Sequence, residues 1–185
     1  SSGPDGVFII EDDLKPLADK ISAAIASISD QPVKMVFNTH WHFDHSGGNE
    51  HFGESGALIV AHDNVRERMS TTQFSSFFGT TTKPSPDAAL PVITFGSTAT
   101  FYRNGIKISA IHVAPAHTDG DAIFIFEEDN VVHLGDVFFN GMYPFIDVDH
   151  GGTLKGMIQG VDRILALSNE NTKIIAGHGP LAAKE

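Results

Sequence analysis

Residues 38–48 read NTHWHFDHSGG and place three histidines and one aspartate within six positions. The whole chain of 185 residues has only ten histidines, so the stretch concentrates potential metal ligands. Imidazoles and a carboxylate packed together must be hydrogen-bonded or metallated when they are buried. The apolar segment VKMVFNT, at 33–39, predicts a strand that leads directly into the cluster. We therefore predict a metal site at the end of this strand.

The spacing within the stretch indicates two metal positions. Side chains two residues apart in an extended backbone point to the same side, so His40 and His42 can reach one ion. Asp44 and His45 lie where the chain turns before a pair of glycines, and the turn aims them at a neighbouring position. One short segment can thus supply two ligands to each of two adjacent ions.

Two protein ligands do not complete a zinc site, since catalytic sites normally use three ligands and a water. Cysteine is absent, so the other ligands must be nitrogen or oxygen atoms. Three candidates follow apolar segments that read as strands: His117, Asp136 and His178. Strand ends and their loops commonly carry the chemistry of a scaffold. We predict that these three residues join the cluster.

The composition limits the class of protein. A hydrophobic content of 41% and a charged content of 19% are typical of a globular protein, and the length suits one domain over residues 1–185. A net charge of −11 disfavours nucleic acid and anionic membranes as partners. No apolar run approaches the roughly 18 residues of a membrane span.

Hydrophobic periodicity predicts an alternation of strands and helices. The predicted strands lie at 7–12, 33–39, 57–62 and 172–180, the hairpins at 99–113 and 122–136, and the helices at 14–29, 63–70 and 154–168. The last helix is predicted to bury a broad apolar stripe. Two mixed sheets between layers of helices accommodate this order.

Three local features give more specific predictions. Asp13 is a candidate N-cap for the first helix. Asn104-Gly105 predicts a type I′ turn, which requires two positive φ values. Residues 70–91 predict a long loop, and its phenylalanines suggest a cover for an apolar ligand, with a surface excursion as the alternative.

The residues match a known pattern. HWHFDH at 40–45, His117, Gly135-Asp136 and Gly177-His178-Gly179 together resemble the signature of the metallo-β-lactamase superfamily. The resemblance implies an α/β (α+β) fold, a four-layer αββα sandwich of two mixed sheets, apparently trimmed here at both termini. It implies two Zn²⁺ ions, with other divalent metals as alternatives. The implied ligands are His40, His42 and His117 for the first ion, Asp44, His45 and His178 for the second, and Asp136 as the bridge.

The same resemblance implies a zinc-dependent hydrolase. A metal-bridging hydroxide would attack the carbonyl of a cyclic amide, ester or thioester, with Asp44 and Asp136 as the catalytic carboxylates. The best-known zinc β-lactamases carry cysteine at the position of Asp136 and a lysine where this chain has Phe139, so only weak β-lactamase activity is expected. A lactonase or a glyoxalase II-like thioesterase is one alternative. A non-hydrolytic metal-binding or redox module that uses iron is another.

Other expectations concern partners and nearby residues. The expected partner is a small molecule with a hydrolysable carbonyl; oligomeric state stays open, and both a periplasmic or secreted and a cytoplasmic location are compatible. Asp119 and Asp121 are candidates for ordering the His117 loop, with turn formation as the alternative. Tyr143 is expected to pack structurally, with the carbonyl-polarising role of a lactonase tyrosine, implied by the resemblance, as the alternative. Structural roles are expected for the remaining histidines: His51, His62, His112, His133 and His150. For His150 the alternative is a place at the border of the pocket, because its segment follows Asp136.

Overall fold

The structure is a computed structural model that describes residues 1–113 and 115–184. The chain forms two compact units, Ser1–Phe95 and Gly96–Glu185. Each unit has its own sheet and helices and is described separately.

The first unit is built from short strands and helices that alternate along the chain. Its strands are β1 Ser2–Gly3, β2 Gly6–Ile10, β3 Val33–Phe37, β4 Leu58–His62, β5 Gln73–Ser75, β6 Thr80–Thr82 and β7 Ile93–Phe95. Its α-helices are α1 Ala18–Ala26, α2 Phe43–Ser46, α3 Asn49–Glu54 and α4 Asp63–Ser70, with 3-10 turns at Lys15–Leu17 and Asp87–Ala89.

A five-stranded sheet forms the centre of this unit, in the order β1-β2-β3-β4-β7. The pairs β2–β3, β3–β4 and β4–β7 are parallel, and β1 pairs antiparallel with β2. Such parallel strands favour continuous apolar runs, because helices cover their faces. Val36 and Ile59 of the sheet accordingly pack with Phe52 of α3, and Ile21 and Ile25 of α1 lie against the same cluster.

The first helix is shorter than predicted. The predicted span of 14–29 begins as a 3-10 turn, with Pro16 near its start, and α1 begins only at Ala18. The prediction that Asp13 caps this helix is wrong, because Leu17 occupies the N-cap position. Asp13 instead has a φ of 61°, in the left-handed region that aspartate tolerates better than most residues.

Residues 70–91 contain more order than the predicted loop. β5 and β6 form a small antiparallel hairpin, and a 3-10 turn follows at Asp87–Ala89. The side chains of Phe74, Phe77 and Phe78 are 58%, 73% and 61% exposed. These rings therefore add little to the core of the unit.

The second unit holds a six-stranded mixed sheet. Its elements are β8 Thr98–Arg103, β9 Ile106–His112, β10 Ala122–Phe126, β11 Val131–His133, α5 Leu154–Leu167, β12 Lys173–Ile175 and β13 Ala182–Ala183, with 3-10 turns at Gly135–Val137 and Val148–His150. The strand order is β13-β12-β11-β10-β9-β8. Only β11 and β12 pair in parallel, and the connection between them contains α5.

Two predictions for this unit are confirmed, and one is too broad. Asn104 and Gly105 have φ values of 53° and 75°, as the predicted turn requires. Helix α5 begins at Leu154, and the Thr153 hydroxyl accepts a hydrogen bond from the Gly156 amide. Its buried stripe is narrower than predicted, because Met157 and Ile164 join the core whereas several other apolar side chains of the helix are exposed.

Candidate metal centre

Trp41 separates two histidines of the cluster in the first unit. Its indole packs against a buried cluster that contains Val65, Met69 and Leu90. The indole also contacts the His42 ring, with centroids 4.8 Å apart. The ring centroids of His40 and His42 lie 4.8 Å apart, and those of His40 and His45 lie 4.3 Å apart.

Glu11, which follows β2, adds a carboxylate to this cluster. Its Oε1 atom lies 2.9 Å from Nδ1 of His45 and accepts a hydrogen bond from the Thr39 hydroxyl. Thr39 Oγ1 in turn lies 2.9 Å from Nδ1 of His40. Glu11, His40 and His45 each offer one potential ligand atom within 4.8 Å of the others. Both imidazoles thus have a polar partner on the Nδ1 side.

Asp44 and His45 lie in the short helix α2, which begins at Phe43. Nε2 of His45 lies 3.4 Å from Oδ2 of Asp44. Burial of the Asp44 carboxyl opposes its ionisation, but the hydrogen bond and charge of His45 outweigh this effect, with smaller contributions from the backbone and His42, and lower the pKa to about 2. Asp44 is therefore an ionised carboxylate at neutral pH, as a metal ligand must be.

Gly47 and Gly48 permit a close approach of the chain from residues 12–15. A Cβ atom on Gly47 would lie 2.6 Å from the Lys15 backbone nitrogen, and one on Gly48 would lie 2.7 Å from the Asp12 carbonyl oxygen. Oδ1 of the buried Asp12 accepts a hydrogen bond of 2.9 Å from the Gly48 amide, and the Asp12 amide donates to the carbonyl of His45. Burial raises the pKa of Asp12 to about 8, despite the bond from Gly48.

A second cluster lies in the second unit, around the buried Asp136. Its Oδ2 atom is 3.4 Å from Nε2 of His117 and 3.5 Å from Nε2 of His178. One carboxylate oxygen thus faces two imidazole nitrogens from separate loops. These separations exceed a normal hydrogen bond, and the donor set of nitrogen and carboxylate oxygen suits zinc or iron.

Asp136 and His178 are placed by backbone contacts between their loops. Asp136 lies in the 3-10 turn after β11, and the Gly177 amide donates to the Gly135 carbonyl over 2.8 Å. A Cβ atom on Gly177 would lie 2.0 Å from Oδ1 of Asp136, so this position requires glycine. His178 is then stacked on Phe139, with ring centroids 5.1 Å apart and planes 23° apart.

His117 is held through its backbone and its ring. Its amide donates to Oδ2 of Asp121 over 2.7 Å, and the Thr118 amide donates to the same oxygen. Nδ1 of His117 lies 2.8 Å from the Phe145 carbonyl oxygen. A carbonyl can only accept, so Nδ1 carries a proton, and Nε2 is the ring nitrogen that faces Asp136. Burial raises the pKa of Asp121 to about 7, although the bonds from Thr118 and His117 lower it.

The structure groups the predicted site residues within each unit. His40, His42, Asp44 and His45 lie together in the first unit; His117, Asp136 and His178 lie together in the second. The sequence prediction missed Glu11 and Asp12 at the first cluster, although the acidic run after β2 was a possible signal. Asp121 does order the His117 loop, whereas Tyr143 is 98% exposed, so its predicted structural packing is wrong.

The remaining histidines have local hydrogen-bonding partners, as expected of structural residues. Nδ1 of His62 accepts a hydrogen bond from the Asn64 amide at the start of α4, and Nδ1 of His133 accepts one from the Gly135 amide. The partners of the others are Ser22 for His51, the Asp121 carbonyl for His112 and the Asp147 carboxylate for His150. Among the described residues, no helix has the length and apolar character needed to cross a membrane.

Comparison with known families identifies the chain. The profile of the metallo-beta-lactamase superfamily matches residues 4–178, a span that contains both clusters. The chain belongs to this superfamily. The family predicted from the sequence motifs is therefore confirmed.

Individual relatives extend this result. A hydroxyacylglutathione hydrolase of Pelagibacter ubique is 28% identical over 148 residues, which make up 79% of this chain and 52% of that protein. The chain spans about half the length of the hydroxyacylglutathione hydrolases that it matches.

Solved structures confirm the predicted fold class. A metallo-beta-lactamase from Pontibacter korlensis superimposes with a TM-score of 0.78 at 20% identity, over 98% of this chain and 79% of that one. A second structure, of TTHA1623 in a di-iron-bound form, gives a TM-score of 0.69 at 21% identity, over 94% of this chain and 82% of that one.

Proposed function

We propose that the protein is a binuclear metal-dependent hydrolase whose preferred substrates are thioesters. Lactones and other esters would be secondary substrates, and β-lactams poor ones. The observation that carries the proposal is the placement of Asp136, whose Oδ2 atom faces the Nε2 atoms of both His117 and His178 at nearly equal distances. A carboxylate oxygen shared by two imidazoles suits a ligand that bridges two ions.

The chemistry of the donor atoms supports a metal at this position. Asp136 and His117 are buried, and burial of a carboxylate beside imidazoles is costly unless a cation or hydrogen bonds compensate. The Phe145 carbonyl engages Nδ1 of His117, so Nε2, the nitrogen that faces Asp136, is the one available to bind a metal. In the first unit, Asp44 is held ionised beside Nε2 of His45.

The ligand assignment across both clusters rests on the family resemblance. The first ion would take His40, His42 and His117, and the second would take Asp44, His45 and His178, with Asp136 shared. Zinc is our proposal for both ions. Iron is the alternative occupant, because a structure of the same fold was solved with two irons.

The bound ions would supply a nucleophilic hydroxide near neutral pH and polarise the substrate carbonyl. The protein residues provide the setting for that chemistry. Asp44, with its lowered pKa, can accept a hydrogen bond and so orient an attacking water. Asp136 lies between the imidazoles of His117 and His178. Phe139, stacked on His178, offers an apolar face beside the second set.

Two features favour thioesters over β-lactams. The hydroxyacylglutathione hydrolases among the relatives carry a name that describes a thioesterase. Phe139 stands where the best-known zinc β-lactamases place the lysine that binds the carboxylate of the drug. An uncharged aromatic ring cannot replace that charge, so the loss of affinity should be specific to β-lactams.

Metal analysis tests the binuclear centre. Protein purified without added metal should contain close to two zinc or iron ions per chain, or take up two after chelation and titration. Asp136→Ala should reduce this number, whereas Asp149→Asn, a change of an exposed aspartate outside both clusters, should not. Absence of metal uptake by the parent protein would overturn the proposal.

A substrate panel tests the proposed preference. We expect kcat/KM to be highest for a 2-hydroxyacyl thioester of glutathione, lower for a lactone and lowest for nitrocefin, all measured on the same metal-loaded protein. Phe139→Lys should improve nitrocefin turnover relative to the thioester. A parent protein that cleaves nitrocefin faster than the thioester would contradict the order and favour the β-lactamase alternative.

A further inference from the structure

We propose that the buried pair Asp147–His150 is a positioning device for His117, which fixes both the tautomer and the place of this imidazole. The proposal rests on the proposed function, in that His117 is taken as a metal ligand. It assigns a role to two residues that lie outside the two ligand clusters.

The pair closes a tight turn in the second unit. Oδ2 of Asp147 lies 2.7 Å from Nδ1 of His150, and both side chains are almost fully buried. The Asp147 carbonyl accepts further bonds from the amides of His150 and Gly152, at 3.1 and 2.8 Å. The turn is therefore fastened by its side chains as well as by its backbone.

Three hydrogen-bonding contacts join this turn to the His117 loop. The Phe145 carbonyl oxygen lies 2.8 Å from Nδ1 of His117, and the Asp147 amide donates to the His117 carbonyl over 2.9 Å. The His150 carbonyl accepts from the Asp119 amide over 3.0 Å. These contacts hold both the ring and the backbone of His117, on the side away from Nε2.

Close packing leaves the turn little freedom to move. Gly151 has a φ of 87°, and a Cβ atom there would lie 2.7 Å from Cβ of Asp119. A Cβ atom on Gly152 would lie 2.2 Å from the His117 carbonyl oxygen. A displacement of the turn would therefore carry the Phe145 carbonyl away from the His117 ring or force the loop to follow.

The chemistry of the pair favours a positioning role over a purely stabilising one. A buried carboxyl–imidazole pair is weak support for stability, because desolvation of the two groups offsets most of their attraction. Hydrogen bonds to the second nitrogen of a ligating imidazole set its tautomer and orientation, and their loss typically weakens metal binding about 10- to 100-fold. Without the pair, the Phe145 carbonyl that accepts from Nδ1 of His117 would no longer be held in place.

The first experiment measures the tautomer in metal-free protein. Nitrogen-15 correlation spectra should show His117 almost entirely protonated on Nδ1. His150→Ala should give a mixture of tautomers or chemical exchange at that ring, whereas Asp149→Asn should resemble the parent. A parental His117 spectrum in folded His150→Ala would overturn the proposal. This measurement does not depend on metal binding, so it separates the present inference from the proposed function.

The second experiment measures zinc affinity by competition with a chelator. His150→Ala should weaken one of the two sites about 10- to 100-fold. His150→Asn, whose amide can replace the Nδ1–H donor, should recover most of the loss. Ile164→Val, a core change in the same unit, is the matched control for stability and should leave affinity unchanged. An equal loss in Ile164→Val, or no recovery in His150→Asn, would count against positioning by the pair.

Discussion

The two loops that carry the candidate ligands are braced in different ways. The loop at 40–45 has its ligands crowded in sequence, and its braces, Glu11 and Asp12, come from the end of another strand. His117 has its partner ligands far away in sequence, yet its nearest brace, Asp121, is four residues along the same loop. The candidate ligands at 40–45, which are close together in sequence, are thus supported by residues distant in sequence. His117, which is distant in sequence from the other candidates of its cluster, is supported in part by a residue of its own loop.

The two buried carboxyls show how hydrogen bonds adjust the effect of burial. Oδ1 of Asp12 accepts from the Gly48 amide, and its Oδ2 has no hydrogen-bond partner among the described residues. Asp121 accepts from two backbone amides and from the Thr118 hydroxyl. Both carboxyls are almost fully buried, yet the pKa is raised to about 8 for Asp12 and only to about 7 for Asp121. More donors make the buried carboxylate easier to ionise.

The largest effect is expected for Asp136→Ala, which removes the carboxylate shared between two histidines. We expect metal content to fall and kcat/KM for the thioester to drop by more than the roughly 100-fold typical of residues outside the ligand set. Metal analysis and steady-state kinetics measure both quantities. A variant that keeps two ions and near-parental activity would show that Asp136 is no bridge.

A smaller effect is expected at Glu11, the brace of the first cluster. Glu11→Ala removes the acceptor beside Thr39 and His45, so metal affinity should fall about 10- to 100-fold. Glu11→Gln keeps an acceptor oxygen and should lose less. Chelator competition measures the two affinities, and equal losses would indicate that charge, and not hydrogen bonding, is the contribution of Glu11.

A comparison of Asp121→Ala with Asp12→Ala tests how much stability each buried carboxyl contributes through the amides that it accepts from. The first change leaves two backbone amides without their acceptor and the second leaves one, at a cost of roughly 1–3 kcal/mol for each buried group. The free energy of unfolding, measured by urea denaturation of metal-free protein, should therefore fall further in Asp121→Ala. Greater destabilisation by Asp12→Ala would reverse the comparison.

The smallest effect concerns pH. The pKa of Asp12 is about 8 in the folded protein and near 3.8 when unfolded, so the folded state binds more protons between these values. The stability that this group contributes is complete below about pH 4 and is lost as the pH rises to about 8.

Asp12→Asn should flatten this part of the stability profile of metal-free protein, measured by urea denaturation from pH 5 to pH 9. The loss of stability that comes from deprotonation of Asp121 should remain in this variant and should end near pH 7. A parent protein that gains stability over the same range would contradict a buried, protonated Asp12.

Much of the candidate site could be predicted from the sequence, because its ligands lie at recognisable positions. The alternation at His40 and His42 and the strand-end positions of Asp136 and His178 follow from local patterns. The extent of the first helix was less predictable, since the apolar period does not reveal that the segment begins with a 3-10 turn at Lys15–Leu17. The exposure of Tyr143 and the order within 70–91 also escaped prediction, because both depend on which surfaces neighbouring elements cover.

The sequence by itself determined the family, the alternation of elements and the identity of the candidate ligands, because these depend on residue type and short spacings. Only the tertiary structure decided which groups support them. Glu11 reaches His45 across 34 positions, and the turn at 145–150 reaches His117 across about 30. Such contacts arise from the pairing of strands and the close approach of glycines, and no local pattern encodes them. The stretch at 38–48 thus supplies four candidate ligands, while the folded chain fixes where their nitrogen and oxygen atoms point.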